Sequence, residues 1–157
     1  MAIASEGLAL NEGMVEGLKL QVSKVIRAKR ARVFEAWTRP EEVQRWFGPE
    51  GMSCVGAEVD LRVGGTYRIE VKAEATGKIS WATGVYREIV PNELLRFTWQ
   101  GNWRPDEESL VTVALRDVEG GTEVVITHER VADAQGMAGY EQGWTGSLAK
   151  LARMYES

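Results

Sequence analysis

The chain has 157 residues, 44% hydrophobic and 27% charged, which is the composition of one globular domain. Its net charge of −4 argues against a nucleic-acid binder or a polybasic membrane anchor, because both use clustered Lys and Arg. The single cysteine, Cys54, excludes an internal disulfide and a cysteine-rich zinc site. Apolar runs are far shorter than the roughly 18 residues of a membrane span, and a secretory signal is missing, so we expect a cytoplasmic protein.

The N-terminal segment shows no clear hydrophobic periodicity. We therefore expect a flexible arm over residues 1–17 and a single domain over residues 18–157. The domain opens with a strict alternation of apolar and polar residues over 18–25. Such a period of two predicts a half-buried β-strand.

Two short helices are predicted after this strand. Val33 and Trp37 recur at helical spacing between charged residues, which indicates a short amphipathic helix. Pro40 ends it and opens a second helix, since proline suits the first helical position. Trp46 and Phe47 lie on the apolar face of the second helix. We expect both rings at one open end of the sheet.

Strand patterns follow one another from about residue 52 to residue 131, separated by turn dipeptides such as those at 64–65 and 120–121. Consecutive strands joined by tight turns favour an antiparallel meander. The apolar sets expected to face inward are Tyr67, Ile69 and Val71; Trp81, Val85 and Ile89; Leu95, Phe97 and Trp99; Val111, Val113 and Leu115; and Val124, Ile126 and His128. Around Val85 and Tyr86 the inward face stays open, because both faces carry large residues.

A long helix is predicted from about residue 139 to residue 155. One of its faces collects the large apolar side chains, namely Tyr140, Trp144, Leu148, Leu151 and Tyr155. Gly143 and Gly146 are unusual there, because glycine costs about 1 kcal/mol relative to alanine inside a helix. Close packing against the sheet is the favoured explanation, and room for a ligand is the alternative.

These elements predict an α+β helix-grip fold. A seven-stranded antiparallel sheet is wrapped around the long C-terminal helix, and two short helices follow strand 1. The order leaves a cavity between helix, sheet and helical pair. Six tryptophans are spread along the chain. They favour a Trp-rich core, with an aromatic-lined cavity as the alternative.

Several segments together resemble one protein family. They are residues 33–42, 46–51, 60–68, 84–91, 95–99, 127–129 and 143–151. They are similar to the START-like, or SRPBCC, superfamily of helix-grip domains that includes the birch-pollen allergen. Within it they resemble the branch named after the activator of the 90-kDa heat-shock protein ATPase. The resemblance runs from about residue 20 to the C-terminus and implies a stand-alone domain of this branch.

Members of this branch are described as ligand carriers, cyclase-like enzymes, resistance proteins and chaperone activators, so the resemblance does not select one function. The eukaryotic activators pair this domain with a separate N-terminal domain that engages the chaperone. Only the short arm stands in that position here. Chaperone-related partner binding is therefore kept as an alternative.

Catalytic patterns are sparse. His128 is the single histidine, the serines lack a nucleophile elbow, and the glycine pairs are followed by strands rather than by helices. Metal-ligand spacing is missing as well, so we expect no metal and no cofactor. His128 is the candidate for an acid–base catalyst in a weaker alternative, a cofactor-independent lyase or cyclase. A hydrogen-bonded histidine at a strand end is the favoured interpretation. Other isolated polar candidates are Glu129, Arg68, Arg87, Tyr67 and Tyr86.

The sequence therefore favours a protein that binds a small apolar or amphipathic molecule in the cleft between the C-terminal helix and the sheet. The residues expected to line the cleft are Trp46, Phe47, Tyr67, Ile69, Trp81, Phe97, Trp99, His128, Trp144 and Leu148. A chaperone or another protein is the alternative partner. Nucleic acid and membrane are not expected as partners, and monomer and homodimer both stay open.

Overall fold

The computed structural model describes residues 17–156 and confirms the predicted order of elements. The elements are β1 (Leu18–Ile26), α1 (Arg30–Thr38), α2 (Pro40–Trp46), β2 (Met52–Val59), β3 (Thr66–Ala73), β4 (Ile79–Val90), β5 (Leu94–Gly101), β6 (Ser109–Val118), β7 (Gly121–Val131) and α3 (Ala134–Arg153). Apart from Gly17, the arm expected over residues 1–17 lies outside the described residues.

The seven strands form one sheet in the order β1-β7-β6-β5-β4-β3-β2, and all neighbouring pairs are antiparallel. Strands β2 to β7 form a meander in chain order, and β1 adds to its far edge beside β7. Helix α3 packs against β1 and β7, and α2 packs against β2. The predicted α+β helix-grip fold is confirmed.

The prediction that Trp81 faces inward is wrong, and at the position left open between Val85 and Tyr86 it is Tyr86 that faces inward. Ala82 and Tyr86 are the buried residues of this part of β4, whereas Trp81 and Val85 are only half-buried. Trp81 pairs with Glu70 on the outer face of the sheet. Side chains alternate between the two faces of a strand, so an inward Ala82 places Trp81 outside.

A β-bulge in β4 explains why Ile89, the third residue of the set predicted to face inward, does face inward. The register with β5 shifts between Tyr86 and Glu88. The extra residue reverses the alternation, so Ile89 lies opposite the buried Leu95 and packs against the core. A single parity along β4 therefore could not describe both halves of the strand.

Helix α3 begins at Ala134, earlier than the predicted residue 139, and ends at Arg153. Asp133 is its N-cap, and the Asp133 carboxylate accepts a hydrogen bond of 2.8 Å from the backbone N–H of Gly136. The cap starts the helix despite glycines in its first turns, which weaken the local helical preference.

The core lies between the inner face of the sheet and the three helices. Four of the six tryptophans are buried in it, namely Trp37, Trp46, Trp99 and Trp144. Trp81 lies on the outer face, and Trp103 is exposed to 44% in the β5–β6 connection. The Trp-rich core is therefore observed, although two of the rings lie outside it. In the part of the chain described, the helices are too short or too polar to cross a membrane.

Candidate functional site

A cavity of about 340 Å³, partly open to solvent, lies between α3, the sheet and the segment that follows α2. The sheet contributes Ile69 and Val71 from β3, Ala82 from β4 and Trp99 from β5. Phe47, directly after α2, forms the wall on the side of the helical pair. These side chains are apolar, so the cavity wall favours apolar contents.

The wall contributed by α3 contains three glycines. Gly136, Gly139 and Gly143 line the cavity and share one helix face by their spacing. A Cβ at Gly139 or Gly143 would meet no other segment of residues 17–156 within 4 Å. At Gly146, by contrast, a Cβ would lie 2.9 Å from the Cβ of Pro49. Close packing therefore explains the glycine at position 146. Gly143 borders open space instead, so the explanation favoured from the sequence, close packing against the sheet, does not hold for Gly143.

Charged groups at the rim belong to one ion-pair cluster. Nε of Arg104 lies 2.8 Å from a carboxylate oxygen of Glu107, and a terminal nitrogen of Arg104 lies 2.8 Å from the carboxylate of Asp133. The backbone N–H of Gly136 and the Arg104 guanidinium lower the pKa of Asp133. Arg104 lines the cavity, but both carboxylates already neutralise its charge.

Three polar aromatic groups meet at the wall of the cavity. Trp99, Trp103 and Tyr140 all line it. Burial raises the pKa of the Tyr140 hydroxyl, and the nearby indole N–H groups of Trp103 and Trp99 partly oppose that rise. The Trp99 N–H is buried and has no hydrogen-bond partner among the described residues. The otherwise apolar wall thus includes three aromatic side chains that carry a polar group.

His128 is fully buried and hydrogen-bonded at both ring nitrogens. Nε1 of Trp144 donates to Nδ1 of His128 over 3.0 Å, and Nε2 of His128 lies 2.7 Å from Oγ of Ser109. Ser109 in turn donates to the carbonyl of Trp99 over 3.1 Å. The Tyr140 ring stacks on the imidazole with 4.3 Å between ring centres. Because Nδ1 accepts, the neutral imidazole carries its proton on Nε2.

Burial lowers the pKa of His128 to about 3, so the ring is neutral near pH 7. The lone pair on Nδ1 accepts the hydrogen bond from Trp144, and His128 does not line the cavity. In this position the imidazole presents no free nitrogen to a ligand.

The structure divides the predicted site residues into groups. Four of them line the cavity: Phe47, Ile69, Trp99 and Trp144. Trp46, Tyr67 and Phe97 instead border a separate void of about 20 Å³, together with Phe47, Ile69 and Trp99. Leu148 and His128 are buried in the core and do not line the cavity. The volume of the smaller void is close to that of one water molecule.

Trp46 was expected at the cavity mouth, and that position is wrong. Trp46 is 1% exposed, and its Nε1 donates a hydrogen bond of 2.9 Å to the carbonyl of Ala36. Its ring lies against Trp37 with 4.8 Å between centres. Trp46 therefore joins the two short helices, and only its neighbour Phe47 reaches the cavity.

Two further predicted residues have other environments. The Tyr67 hydroxyl donates to the carbonyl of Thr98 over 2.6 Å, which ties β3 to β5. Trp81 lies under the guanidinium of Arg68, 4.7 Å from the ring centre, on the outer face. This cation–π pair faces away from the cavity, so Trp81 does not line it.

The sequence interpretation missed Trp103 and Arg104. Both lie in the β5–β6 connection and line the cavity. The Trp103 ring occupies the space where Gly101 lacks a side chain. A connection between strands has no hydrophobic periodicity that would show which way its side chains face. The position of Trp103 and Arg104 shortly after Gly101 was therefore the one feature of the sequence that could have pointed to them.

Residues 17–156 contain no group of three or more His, Cys, Asp or Glu side chains that could hold a metal ion. The Cys54 thiol is half-buried and donates to the carbonyl of Gly56 over 3.4 Å. Burial raises the pKa of this thiol. A raised pKa disfavours the reactive thiolate.

Solved structures share this fold. Protein CV1439 from Chromobacterium violaceum is 32% identical, with a TM-score of 0.79 over 89% of this chain and 99% of its own. The AHSA1-like protein from Aeromonas hydrophila is 26% identical, with a TM-score of 0.71 over 87% of this chain and 90% of its own. The AHSA1 protein from Silicibacter pomeroyi is 22% identical, with a TM-score of 0.77 over 87% and 96%. At that identity the likeness shows the fold alone.

Among the curated proteins, none matches this sequence. A family model does: the one described as activator of Hsp90 ATPase homolog 1-like protein matches residues 27–156. The resemblance found in the sequence motifs is thus confirmed over most of the domain. The chain belongs to the family of activator of Hsp90 ATPase homolog 1-like proteins.

Proposed function

We propose that this protein binds a small apolar or amphipathic molecule in the cavity between α3 and the sheet. The observation that carries the proposal is the cavity of about 340 Å³ with its aromatic and aliphatic wall. Pockets for small molecules commonly measure about 300–1,000 Å³ and combine apolar walls with a few polar groups. The ligand contacts we propose are Phe47, Ile69, Trp99, Tyr140 and Trp144.

The glycines of α3 support the proposal energetically. Each interior glycine costs about 1 kcal/mol of helix stability relative to alanine. At Gly139 and Gly143 no packing against other described residues offsets that cost, because a Cβ would enter open space. A ligand lying against the helix backbone would use that space. Binding therefore accounts for two residues that folding alone does not require.

A chaperone-related partner surface is the second candidate. Strand β2 is an edge of the sheet, and Val55 on β2 is exposed to 44%. Leu61 and Val63, in the connection that follows, are exposed to 40% and 63%. Exposed apolar side chains at a strand edge are typical of protein contacts. The cavity has a defined volume and an aromatic wall, so ligand binding comes first.

The lyase or cyclase alternative depends on His128 facing a ligand. Trp99, Tyr140 and Trp144 line the cavity, and His128 lies in contact with all three rings without lining it. His128 is therefore not positioned to act as an acid–base catalyst on a molecule in this cavity.

The proposal is tested by filling the cavity. Gly143→Leu places a side chain in the open space, whereas Thr145→Leu adds the same side chain to the exposed side of α3. The measurement is saturable quenching of tryptophan fluorescence by a panel of apolar dyes and aromatic hydrocarbons at micromolar concentration. We expect wild type and Thr145→Leu to bind and Gly143→Leu to lose binding.

If Gly143→Leu and wild type bind the panel equally well, the binding site lies somewhere other than this cavity. Failure of the whole panel to bind wild type would remove the proposal. The edge of β2 would then become the first candidate, tested by substituting Val55 and Val63 with lysine in a partner-capture assay.

A further inference from the structure

The cavity is closed at one end by hydrogen bonds between α3 and residues 48–52, which join α2 to β2. The backbone N–H of Gly48 donates to Oγ of the buried Ser147 over 3.1 Å. Nζ of Lys150 donates to the carbonyl of Met52 over 2.8 Å. A ligand that entered at this end would have to break these contacts. We therefore look for the entrance elsewhere in the wall.

The other end of the cavity is exposed to solvent. Three exposed residues line it there: Trp103 in the β5–β6 connection, and Gln135 and Gly139 in the first turns of α3. A Cβ at Gly136 would lie 3.3 Å from the Arg104 guanidinium, so the connection and α3 approach each other at this end. The other four aromatic side chains that residues 17–156 contribute to the wall are buried or half-buried, whereas Trp103 is exposed to 44%. Trp103 therefore contacts both the cavity and the solvent.

The Trp103 ring rests on the backbone of Gly101. A Cβ at Gly101 would lie 2.4 Å from atoms of this ring. The ring centre lies 6.5 Å from that of Trp99. Within the described residues, Trp103 is not part of the packed hydrophobic core. The ring can therefore move away from Gly101 without disturbing the core.

Charged groups hold the connection against α3. A terminal nitrogen of Arg104 lies 2.8 Å from the carboxylate of Asp133, whose side chain is exposed to 53%. Glu107 contacts Nε of Arg104 over 2.8 Å and accepts a hydrogen bond from the backbone N–H of Ala132. Exposed ion pairs contribute at most about 1 kcal/mol, and salt screens them. This side of the cavity thus opens more easily than the side that Ser147 closes.

We propose that Trp103 is the lid of the cavity and controls entry, and that Arg104 positions this lid by its ion pair with Asp133. The ligand passes between Trp103 and residues 135–139. The lid then closes over the bound molecule and shields it from water. This inference rests on the proposed binding function and assigns the route into the same cavity.

The test follows the exchange of N-phenyl-1-naphthylamine, a neutral apolar dye whose fluorescence rises when it leaves water. Stopped-flow mixing measures its association and dissociation rate constants. Trp103→Ala should raise both rate constants about five- to tenfold and change Kd less than about threefold, because a lid limits passage in both directions. Trp81→Ala is the matched control, since Trp81 lies on the outer face and does not line the cavity. It should leave both rate constants unchanged.

Salt should act on the exchange through Arg104. In wild type, raising NaCl from about 0.05 M to about 0.5 M should speed both steps about two- to threefold, because screening weakens the ion pair with Asp133. Arg104→Met and Asp133→Asn should exchange the dye faster and lose this salt response, and asparagine still caps the helix. Arg153→Met is the matched control, because it removes an ion pair with Glu50 at the closed end. It should respond to salt as wild type does.

Equal rate constants in Trp103→Ala and wild type would overturn the lid. Faster dissociation with unchanged association would overturn it too, because Trp103 would then be a contact of the ligand only. A salt response that persists in Arg104→Met would overturn the positioning role of Arg104. In these cases the dye still binds, which shows that each variant is folded and leaves the proposed function standing. If neither this dye nor the wider apolar panel binds wild type, the proposed function fails and the lid fails with it.

Discussion

At the scale of single residues, His128 is the clearest case of a group whose neighbours determine its chemistry. Trp144 donates to one ring nitrogen, and Ser109 contacts the other. A donor at Nδ1 and deep burial both favour the neutral ring. The same residue on an exposed strand would titrate near neutral pH. Here it connects α3 to β6 and β7.

Stability should depend on pH through this histidine. The pKa is lowered to about 3 in the folded state from 6.5 in the unfolded chain. As pH falls below about 6.5, the unfolded chain binds a proton that the folded protein does not, so stability is lost toward pH 3. We expect a slope of up to about 1.4 kcal/mol per pH unit. Urea unfolding between about pH 7.5 and about pH 5.5 measures it.

Because His128 is the single histidine, a variant such as His128→Gln should show no comparable slope in this range. A wild-type stability that is flat from about pH 7 to about pH 5 would contradict the lowered pKa.

Trp144 contributes both a buried ring and an N–H donor, and two substitutions separate them. Trp144 is 4% exposed. Trp144→Ala should cost about 3–5 kcal/mol, as large aromatic deletions in cores do. Trp144→Phe keeps a ring but leaves Nδ1 of His128 without its donor, which should cost about 1–3 kcal/mol. Urea denaturation compares them, and a loss below about 1 kcal/mol for alanine would show that α3 does not pack as described.

At the scale of elements, α3 combines a stabilised start with a weakened middle. Asp133 caps the helix, and Arg104 holds the Asp133 carboxylate from the β5–β6 connection. Gly139 and Gly143 remove side chains from the face that borders the cavity. The helix thus remains anchored at its first turn while its backbone stays accessible beside the open space.

Alanine substitutions should have opposite effects at two of its glycines. Gly143→Ala should stabilise the protein by about 0.5–1 kcal/mol, because the methyl group enters open space and the helix gains propensity. Gly146→Ala should destabilise it, since the new Cβ would lie 2.9 Å from Pro49. Thermal and urea unfolding measure both changes. Destabilisation by both variants would mean that the space beside Gly143 is closed.

At the scale of the whole molecule, the sheet and α3 enclose a core that is complete at one end and open at the other. Leu148 and Leu151 pack against the sheet where the core is filled, and both are nearly unexposed. The cavity opens beyond Trp144, toward the first turns of α3. A fold built in this way keeps its packed core and its cavity in different regions.

We also expect the domain to fold without a metal. Residues 17–156 bring no group of three or more His, Cys, Asp or Glu side chains together that could hold a metal ion. Adding a chelator should leave the melting temperature unchanged, whereas removal of a structural ion would lower it. Elemental analysis of the purified protein completes the measurement. One zinc or magnesium ion per chain would contradict the expectation.

Much of the architecture could be predicted from local patterns. Alternation along β3, β5, β6 and β7 placed the apolar sets on the correct face, because each pattern repeats within a single strand. The helical spacing of Trp144 and Leu148 likewise identified the buried face of α3. The family that the motifs resemble was confirmed by the family model over residues 27–156.

The site depended more strongly on tertiary structure. The bulge in β4 reversed the alternation, so Trp81 lies outside while Ile89 lies inside. Trp46 does not line the cavity, because its indole N–H donates a hydrogen bond to the carbonyl of Ala36 on the neighbouring helix. Trp103 lines the cavity although it lies in the β5–β6 connection, where the sequence has no hydrophobic periodicity. By itself, the sequence determined which residues alternate and which share a helix face, since these are short-range properties. The register of the strands and the long-range contacts decided which aromatic rings meet around the open space.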